Sequence, residues 1–123
     1  METDVLLEKT FHFACGIMST ANYLHREKHE NTVSKELLLI VIAMNLKIEK
    51  LIKEKIAMEF ISLSREIIEK MAEIEYLIRL LYATDQITLK INQVLYDELK
   101  EINGLTKKFI EEFTSGLSEE NLA

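Results

Sequence analysis

Three histidines and one cysteine are the side chains of this chain best suited to metal binding or nucleophilic catalysis. His25 and His29 are four residues apart, so a helix through both would place two imidazoles on one face. A zinc site needs a third protein ligand, and no histidine follows a Glu by three residues, as di-iron bundles require. We predict no catalytic, cofactor or metal site, and keep a metal-dependent helical-bundle enzyme using His25 and His29 as the alternative.

His12 and Cys15 form a second pair, at the i, i+3 spacing that lets an imidazole reach a thiolate. No third group is placed to orient the histidine, and no glycine-rich turn offers amides to an oxyanion. The lone cysteine cannot form a disulfide within one chain. We therefore predict that Cys15 is a small packed side chain rather than a nucleophile.

Lysines are densest in one short run that could contact a nucleic-acid backbone. The run consists of Lys47, Lys50, Lys53 and Lys55. Glu49 and Glu54 interleave with these lysines, and the chain carries a net charge of −6, so one copy is poorly suited to bind phosphates. A symmetric ring could bring the lysines of several copies together. RNA or a ribonucleoprotein is therefore a candidate partner.

Glu73 and Tyr76 lie about one helical turn apart, and the tyrosine is close to a row of apolar positions. A carboxylate and a phenol at this spacing can hydrogen-bond to each other or to a neighbouring helix. We predict that this pair is structural and forms an internal hydrogen bond that fixes helix packing.

The backbone that must position these residues is predicted to be entirely helical. Proline is absent and only three residues are glycine, so almost no position requires a turn. Apolar periodicity predicts helices at about residues 4–27, 33–52, 57–82 and 89–114. Short connections between helices of this length favour an all-α, up-down-up-down antiparallel four-helix bundle.

Turn residues set the predicted boundaries. Asn31 or Thr32 can cap the second helix and Thr88 the fourth. Ser115-Gly116 can end the fourth helix with a left-handed C-cap. The bundle is therefore predicted to occupy residues 1–116, followed by a frayed tail at 117–123.

Each predicted helix has a row of apolar residues that we expect to face the core. In chain order the rows are Leu7, Phe11, Ala14, Met18 and Ala21; Leu37, Val41, Met44, Ile48 and Leu51; Phe60, Ser64, Ile67, Met71, Ile74, Ile78 and Leu81; and Leu95, Leu99, Ile102, Thr106, Phe109 and Phe113.

The second helix is apolar on more than its core side. At about 100° per residue, Leu39, Ile42 and Leu46 fall on the side opposite its core row. In a single copy these side chains would face water, and contiguous exposed apolar surface usually marks a partner surface. We predict that Leu39, Ile42 and Leu46 form an oligomer interface between copies of this chain.

Several segments together resemble a known family. They are Glu8 to Phe11, Phe13-Ala14, Val33 to Leu38, Glu59 to Ile61, Glu73 with Tyr76-Leu77, and Thr84 to Thr88. Their order and spacing resemble the four-helix-bundle family encoded in intervening sequences of bacterial 23S ribosomal RNA genes. That family is related to the accessory proteins of diversity-generating retroelements, which bind nucleic acid.

The resemblance implies a homopentamer with no enzymatic activity, of undefined molecular role. The chain departs from the family at Ala43-Met44-Asn45, where members usually carry a stretch of smaller residues, and at Leu77, where an aromatic residue is common. The acidic balance of this chain also weakens the transfer of nucleic-acid binding from the basic retroelement proteins. We expect a homo-oligomeric scaffold or binding module.

The compartment follows from simple patterns. The N-terminus METDVLLEKT lacks the basic region and apolar run of a signal peptide, and the longest apolar run, residues 37–44, is too short to span a bilayer. We therefore expect a cytoplasmic protein that does not enter a membrane. The family resemblance implies a bacterial source, and because no catalytic or cofactor site is predicted we expect no small-molecule substrate.

Overall fold

Four helices form over the residues that the structure describes. A computed structural model describes the backbone of residues 2–122 and the side chains of residues 2–117. The helices are α1 (Glu2–Glu27), α2 (Val33–Lys53), α3 (Ala57–Ala83) and α4 (Leu89–Leu122). Each helix packs against its neighbours in the order α1, α2, α3, α4, and α4 packs back on α1. This arrangement confirms the predicted all-α four-helix bundle. No helix within the described residues is long and apolar enough to span a membrane.

The core rows predicted for α2, α3 and α4 face the interior. Every predicted core residue of α2 and α3 is buried, as are Leu95, Leu99, Ile102 and Thr106 of α4. Phe60 of α3 stacks on Phe113 of α4, with ring centroids 3.7 Å apart. This stack sets the register between the two helices.

The core row predicted for α1 is wrong. Phe11 and Met18 are 73% and 55% exposed, whereas the neighbouring row faces the interior. The buried residues of α1 are Leu6, Thr10, Phe13, Ile17 and Leu24. Thr10 can be buried because its hydroxyl donates a hydrogen bond to the Leu7 carbonyl at 2.9 Å. The helix has two rows with core-like spacing, and the bundle buries the one that a threonine interrupts.

The predicted end of α4 is also wrong. The helix continues through Ser115 and Gly116 to Leu122, and none of the three glycines has a positive φ. A glycine inside a helix costs only about 1 kcal/mol, which the packing of Phe113 on Phe60 can offset. The backbone of the tail predicted to fray at 117–123 is helical through Leu122, and residue 123 lies outside the described residues.

The α1–α2 turn is held by a residue that the sequence did not single out. The carboxylate of Glu30 accepts hydrogen bonds from the backbone N–H groups of Thr32, Val33 and Ser34, at 3.1, 2.7 and 2.8 Å. Partial burial raises the pKa of Glu30, but these hydrogen bonds outweigh it and leave the pKa below its ordinary value. Thr32 makes no side-chain cap, and neither does Asn31, so that prediction is wrong.

The α3–α4 turn ends α3 with Asp85 in a left-handed conformation, φ 60°. The Gln86 N–H donates to the Leu81 carbonyl and the Asp85 N–H to the Tyr82 carbonyl, the two bonds of a Schellman motif. The Thr88 hydroxyl accepts a hydrogen bond from the Ile91 N–H at 3.2 Å, which confirms Thr88 as the cap of α4.

Candidate functional site

The outward side of α2 presents the three residues predicted to form an oligomer interface. Leu39, Ile42 and Leu46 are 53%, 43% and 61% exposed in the single chain. They are exposed because α2 turns its other side, from Leu37 to Leu51, into the core. No loop of the described chain covers them, so their predicted exposure is observed, while association between copies stays a prediction.

Phe11 and Met18 of α1 extend this surface. The Lys9 ammonium contacts Glu101 of α4 at 2.6 Å, which identifies the α4-facing flank of α1. Phe11 and Met18 lie on the other flank, toward α2, because they are about 200° and 180° from Lys9 around the helix. The Asn45 side-chain amide donates to the Thr10 carbonyl at 2.8 Å, which places Phe11 level with the exposed residues of α2.

We call Phe11, Met18, Leu39, Ile42 and Leu46 the apolar face. The exposed part of these side chains amounts to roughly 500 Å², near the upper end of the largest apolar patches on monomeric proteins. Sequence reasoning missed Phe11 and Met18 because it assigned them to the core. The signal that could have found them is the second apolar row of α1, which a bundle helix does not need.

Ion pairs bridge the α1–α4 and α2–α3 sides of the bundle. Glu2 contacts Lys108 and Lys9 contacts Glu101 between α1 and α4, each at 2.6 Å. A hydrogen bond and the negative charge of Glu2 raise the pKa of Lys108. Between α2 and α3, the Lys47 ammonium lies 3.0 Å from a Glu66 carboxylate oxygen. None of the ion pairs among the described residues joins α1 to α2 or α3 to α4.

The predicted basic run divides into one structural lysine and three exposed ones. Lys47 is held by Glu66 of α3. Lys50, Lys53 and Lys55 are exposed near the α2–α3 turn and belong to no ion pair among the described residues. The Glu54 carboxylate accepts hydrogen bonds from the Lys55 and Ile56 N–H groups, so it is engaged with the backbone of the α2–α3 turn. Three cations therefore remain available at this end of the bundle.

The two histidines of the alternative enzyme reading do not share a helix face. α1 ends at Glu27, and His29 lies beyond it with a φ of 54°. The His25 Nδ1 atom is hydrogen-bonded to the Asn31 side-chain oxygen. Among the described residues no three His, Cys, Asp or Glu side chains are grouped closely enough to hold a metal ion. The i, i+4 spacing of His25 and His29 does not place both imidazoles on one helix face, because α1 ends before His29.

Cys15 and His12 lie on the outside of α1. Cys15 is exposed, so the prediction of a packed cysteine is wrong, for the same reason that the α1 core row is wrong. His12 Nε2 lies 3.7 Å from a carboxylate oxygen of Glu98, in a cleft of about 490 Å³ between α1 and α4. Charged side chains of both helices line most of this cleft. His12 faces a carboxylate across it and has no such contact with the thiol.

Glu73 and Tyr76 do not form the predicted internal hydrogen bond. The Glu73 carboxylate accepts a long hydrogen bond, 3.4 Å, from Lys70 one turn earlier in α3. Tyr76 is 60% exposed. Both side chains point outward because the core row of α3 runs through Ile74 and Ile78 instead. The predicted role in helix packing is therefore wrong for the single chain.

Comparison with known structures finds a protein with a similar fold. The chain is similar to a protein of unknown function from the S23 ribosomal protein family of Bacteroides thetaiotaomicron. The two are 25% identical and superpose with a TM-score of 0.84, over 90% of this chain and 99% of that one. No protein-family model matches the chain, and no curated protein does. The similarity supports a relationship to a family named for ribosomal proteins.

Proposed function

We propose that this chain is a non-catalytic, homo-oligomeric scaffold or binding module of the family encoded in 23S rRNA intervening sequences. The observation that carries the proposal is the apolar face, which lies on the outside of the bundle with nothing from the described part of the chain over it. The similarity to the S23-family protein supports the bundle fold and a link to a family named for ribosomal proteins. Five copies are proposed because the resemblance implies a pentamer.

The size of the apolar face supports self-association. Burying roughly 500 Å² on one copy is worth about 12 kcal/mol at about 25 cal/mol per Å². The covered surface of the second copy adds a further term. Together these exceed the roughly 4–15 kcal/mol that association costs in lost freedom of motion. The gain would be small if the same residues were scattered singly over the surface.

Sedimentation equilibrium at micromolar concentration tests the proposal. We expect the wild-type mass to be five times the chain mass of 14.3 kDa. Ile42→Lys should give a folded monomer, because a cation would be buried in the apolar contact. Val94→Lys is the matched control, since Val94 is 46% exposed against 43% for Ile42 but lies on α4. A wild-type monomer would overturn the proposed assembly.

We further propose that the partner of the assembly is RNA or a ribonucleoprotein. The support is local: Lys50, Lys53 and Lys55 are exposed at one end of the bundle. In a ring with all copies oriented alike, these lysines would form one cationic rim. The lone copy, with its net charge of −6, offers no comparable surface.

Salt dependence of RNA binding tests this partner. We expect binding of structured RNA to weaken by at least about tenfold between about 50 and 200 mM salt. Combined Lys50→Gln, Lys53→Gln and Lys55→Gln should weaken it at every salt concentration, whereas Lys28→Gln at the opposite end should not. If no binding occurs even at low salt, RNA is not the partner.

A further inference from the structure

The side of the bundle opposite the apolar face carries a second, smaller apolar surface. Ile61 and Ile68 of α3 and Tyr96 of α4 are 41%, 43% and 45% exposed. We call these three residues the second face. Ile68 and Tyr96 flank a groove of about 210 Å³ between α3 and α4, whose floor includes Met71 and Leu99. Because α1 pairs with α2 and α3 with α4, the two faces lie on opposite sides.

A ring of identical copies needs two different surfaces on each copy. A contact of one surface with itself relates two copies by a two-fold axis and stops at a dimer, whereas a contact between two different surfaces repeats from copy to copy and closes into a ring when each copy is rotated by a fixed fraction of a turn from the last. The apolar face alone therefore cannot build a pentamer. The second face is a suitable counterpart, because no ion pair of the described residues crosses the α3–α4 seam.

The two faces match in height along the bundle. The side-chain contacts of Thr10 with Asn45, Lys47 with Glu66 and Phe60 with Phe113 align successive helices. Because all four helices rise equally per residue, the levels of other residues follow by counting along the antiparallel helices from these contacts. Ile68 then lies level with residues 10–11 of α1, and Tyr96 with residue 19. Phe11 and Met18 occupy those levels on the apolar face. Copies placed side by side in one orientation would therefore bring apolar residues against apolar residues.

Charges at the same height are complementary. Glu49 lies on the outer surface of α2, and Glu8 lies on the outer surface of α1 at the edge of the α1–α4 cleft; both are exposed and outside any ion pair of the described residues. Arg65 and Lys107 are likewise exposed and outside any ion pair of the described residues; Arg65 lies between Ile61 and Ile68 along α3, and Lys107 lines the groove of the second face. The helix alignment places all four within about one helical turn of a common level. In the single chain they lie on opposite sides and cannot pair.

From these observations we infer that the apolar face of one copy docks on the second face of the next copy, head to tail. The partner is thus a second copy of this chain in the same orientation, with Glu8 and Glu49 facing Arg65 and Lys107. This inference rests on the proposed self-association, and it specifies which surface covers the apolar face.

Mixing two monomeric variants tests the pairing. Ile42→Lys damages only the apolar face, and Ile68→Lys damages only the second face. We expect each variant alone to be a monomer. Mixed at about 100 µM, they should form a one-to-one heterodimer, because one intact pair of faces remains while the ring's avidity is lost. Circular dichroism of each variant checks that the bundle is folded.

The possible outcomes separate the inference from the proposed function. If wild type is oligomeric and Ile68→Lys leaves its mass unchanged, the head-to-tail pairing is overturned and self-association stands. The pairing is also overturned if the two folded variants do not associate when mixed. A monomeric wild type overturns both proposals.

Charge reversal gives a second measurement that leaves the apolar residues intact. Glu8→Arg with Glu49→Arg should weaken the wild-type assembly by about tenfold or more through like-charge repulsion. Arg65→Glu with Lys107→Glu should do the same. Combining all four substitutions should restore assembly to near the wild-type level, and a failure of this rescue in a folded protein would contradict the pairing.

Discussion

The α1–α4 and α2–α3 sides of the bundle differ from the α1–α2 and α3–α4 sides in how their helices meet at the surface. The first two sides are bridged by ion pairs such as Lys9–Glu101 and Lys47–Glu66. The other two have no ion pair among the described residues, and large apolar side chains are exposed beside them. Among the described residues, inter-helix ion pairs therefore lie on the two sides that would face water and are absent from the two sides that a second copy could cover.

Stability alone does not explain this division. An exposed ion pair contributes only about 0–1 kcal/mol, so either type of side would be tolerated in a monomer. Exposed Phe11 and Leu46, in contrast, gain nothing from water and add an aggregation risk. If these apolar residues are buried between copies, both their exposure in the single chain and the lack of ion pairs beside them are explained. The predictions below test this comparison, beginning with the largest expected effect.

Two phenylalanines of α1 give the sharpest contrast between the core and the apolar face. Phe13 is fully buried and Phe11 is 73% exposed. Phe13→Ala should lower the free energy of unfolding by about 3–5 kcal/mol, because it leaves a cavity in the core. Phe11→Ala should change the stability of the monomer by less than about 0.5 kcal/mol but weaken self-association. Urea unfolding in a monomeric Ile42→Lys background measures both changes in stability, and sedimentation equilibrium of Phe11→Ala in the wild-type background measures the loss of self-association. Equal losses of stability would contradict the observed burial.

That contrast shows how far the sequence could predict the fold. In α3 the heptad rows are flanked by charged residues, so the core row was unambiguous, and all of it is buried. In α1 the rows through Phe11 and Phe13 are both apolar and differ by only two residues. Local periodicity cannot choose between them. The choice depends on packing against α2 and α4, which no spacing within α1 reveals.

Asn45 makes a side-chain hydrogen bond across the α1–α2 seam without using charge. Its amide nitrogen donates to the Thr10 carbonyl at 2.8 Å, and its side-chain oxygen is buried with no partner among the described residues. Asn45→Asp should cost about 2–3 kcal/mol, because a carboxylate cannot donate and would face a carbonyl oxygen. Asn45→Leu should be nearly neutral, since it removes the unpaired oxygen together with the bond. Thermal unfolding would disprove this account if both variants were equally destabilised.

Glu30 holds the turn between α1 and α2 through hydrogen bonds rather than an ion pair. Glu30→Ala should lower the free energy of unfolding by about 1 kcal/mol at neutral pH, the usual value of a helix cap. Because its folded pKa is depressed, Glu30 stabilises the fold above its ordinary pKa of 4.5, and this contribution is lost as the pH falls further. The difference between wild type and variant should therefore shrink below pH 4.5. A difference that grew on acidification would contradict the depressed pKa.

The candidate site was only partly predictable, for physical reasons. The exposure of Leu39, Ile42 and Leu46 follows from one helix, because its apolar residues outnumber those that its core side can bury. The ion pair of Lys47 cannot be predicted from one helix, because its partner Glu66 lies on another helix. The role of Glu30 in capping α2 could not be predicted from the sequence either. Thr32 has a helical φ and ψ, −87° and −60°, instead of the extended conformation that lets a threonine cap a helix, so the preceding carboxylate replaces it.

The smallest expected effect comes from the ion pairs themselves. Lys9→Met and Lys47→Met each remove an inter-helix ion pair but keep most of the aliphatic side chain. Each should lower the free energy of unfolding by no more than about 1 kcal/mol, and this difference should diminish in high salt. Their effect on self-association should be small, because neither pair lies on the two sides proposed to meet. Sedimentation equilibrium and urea unfolding of the same samples separate the two effects. Loss of the oligomer with little change in stability would mean that the charged sides, and not the apolar ones, form the contact.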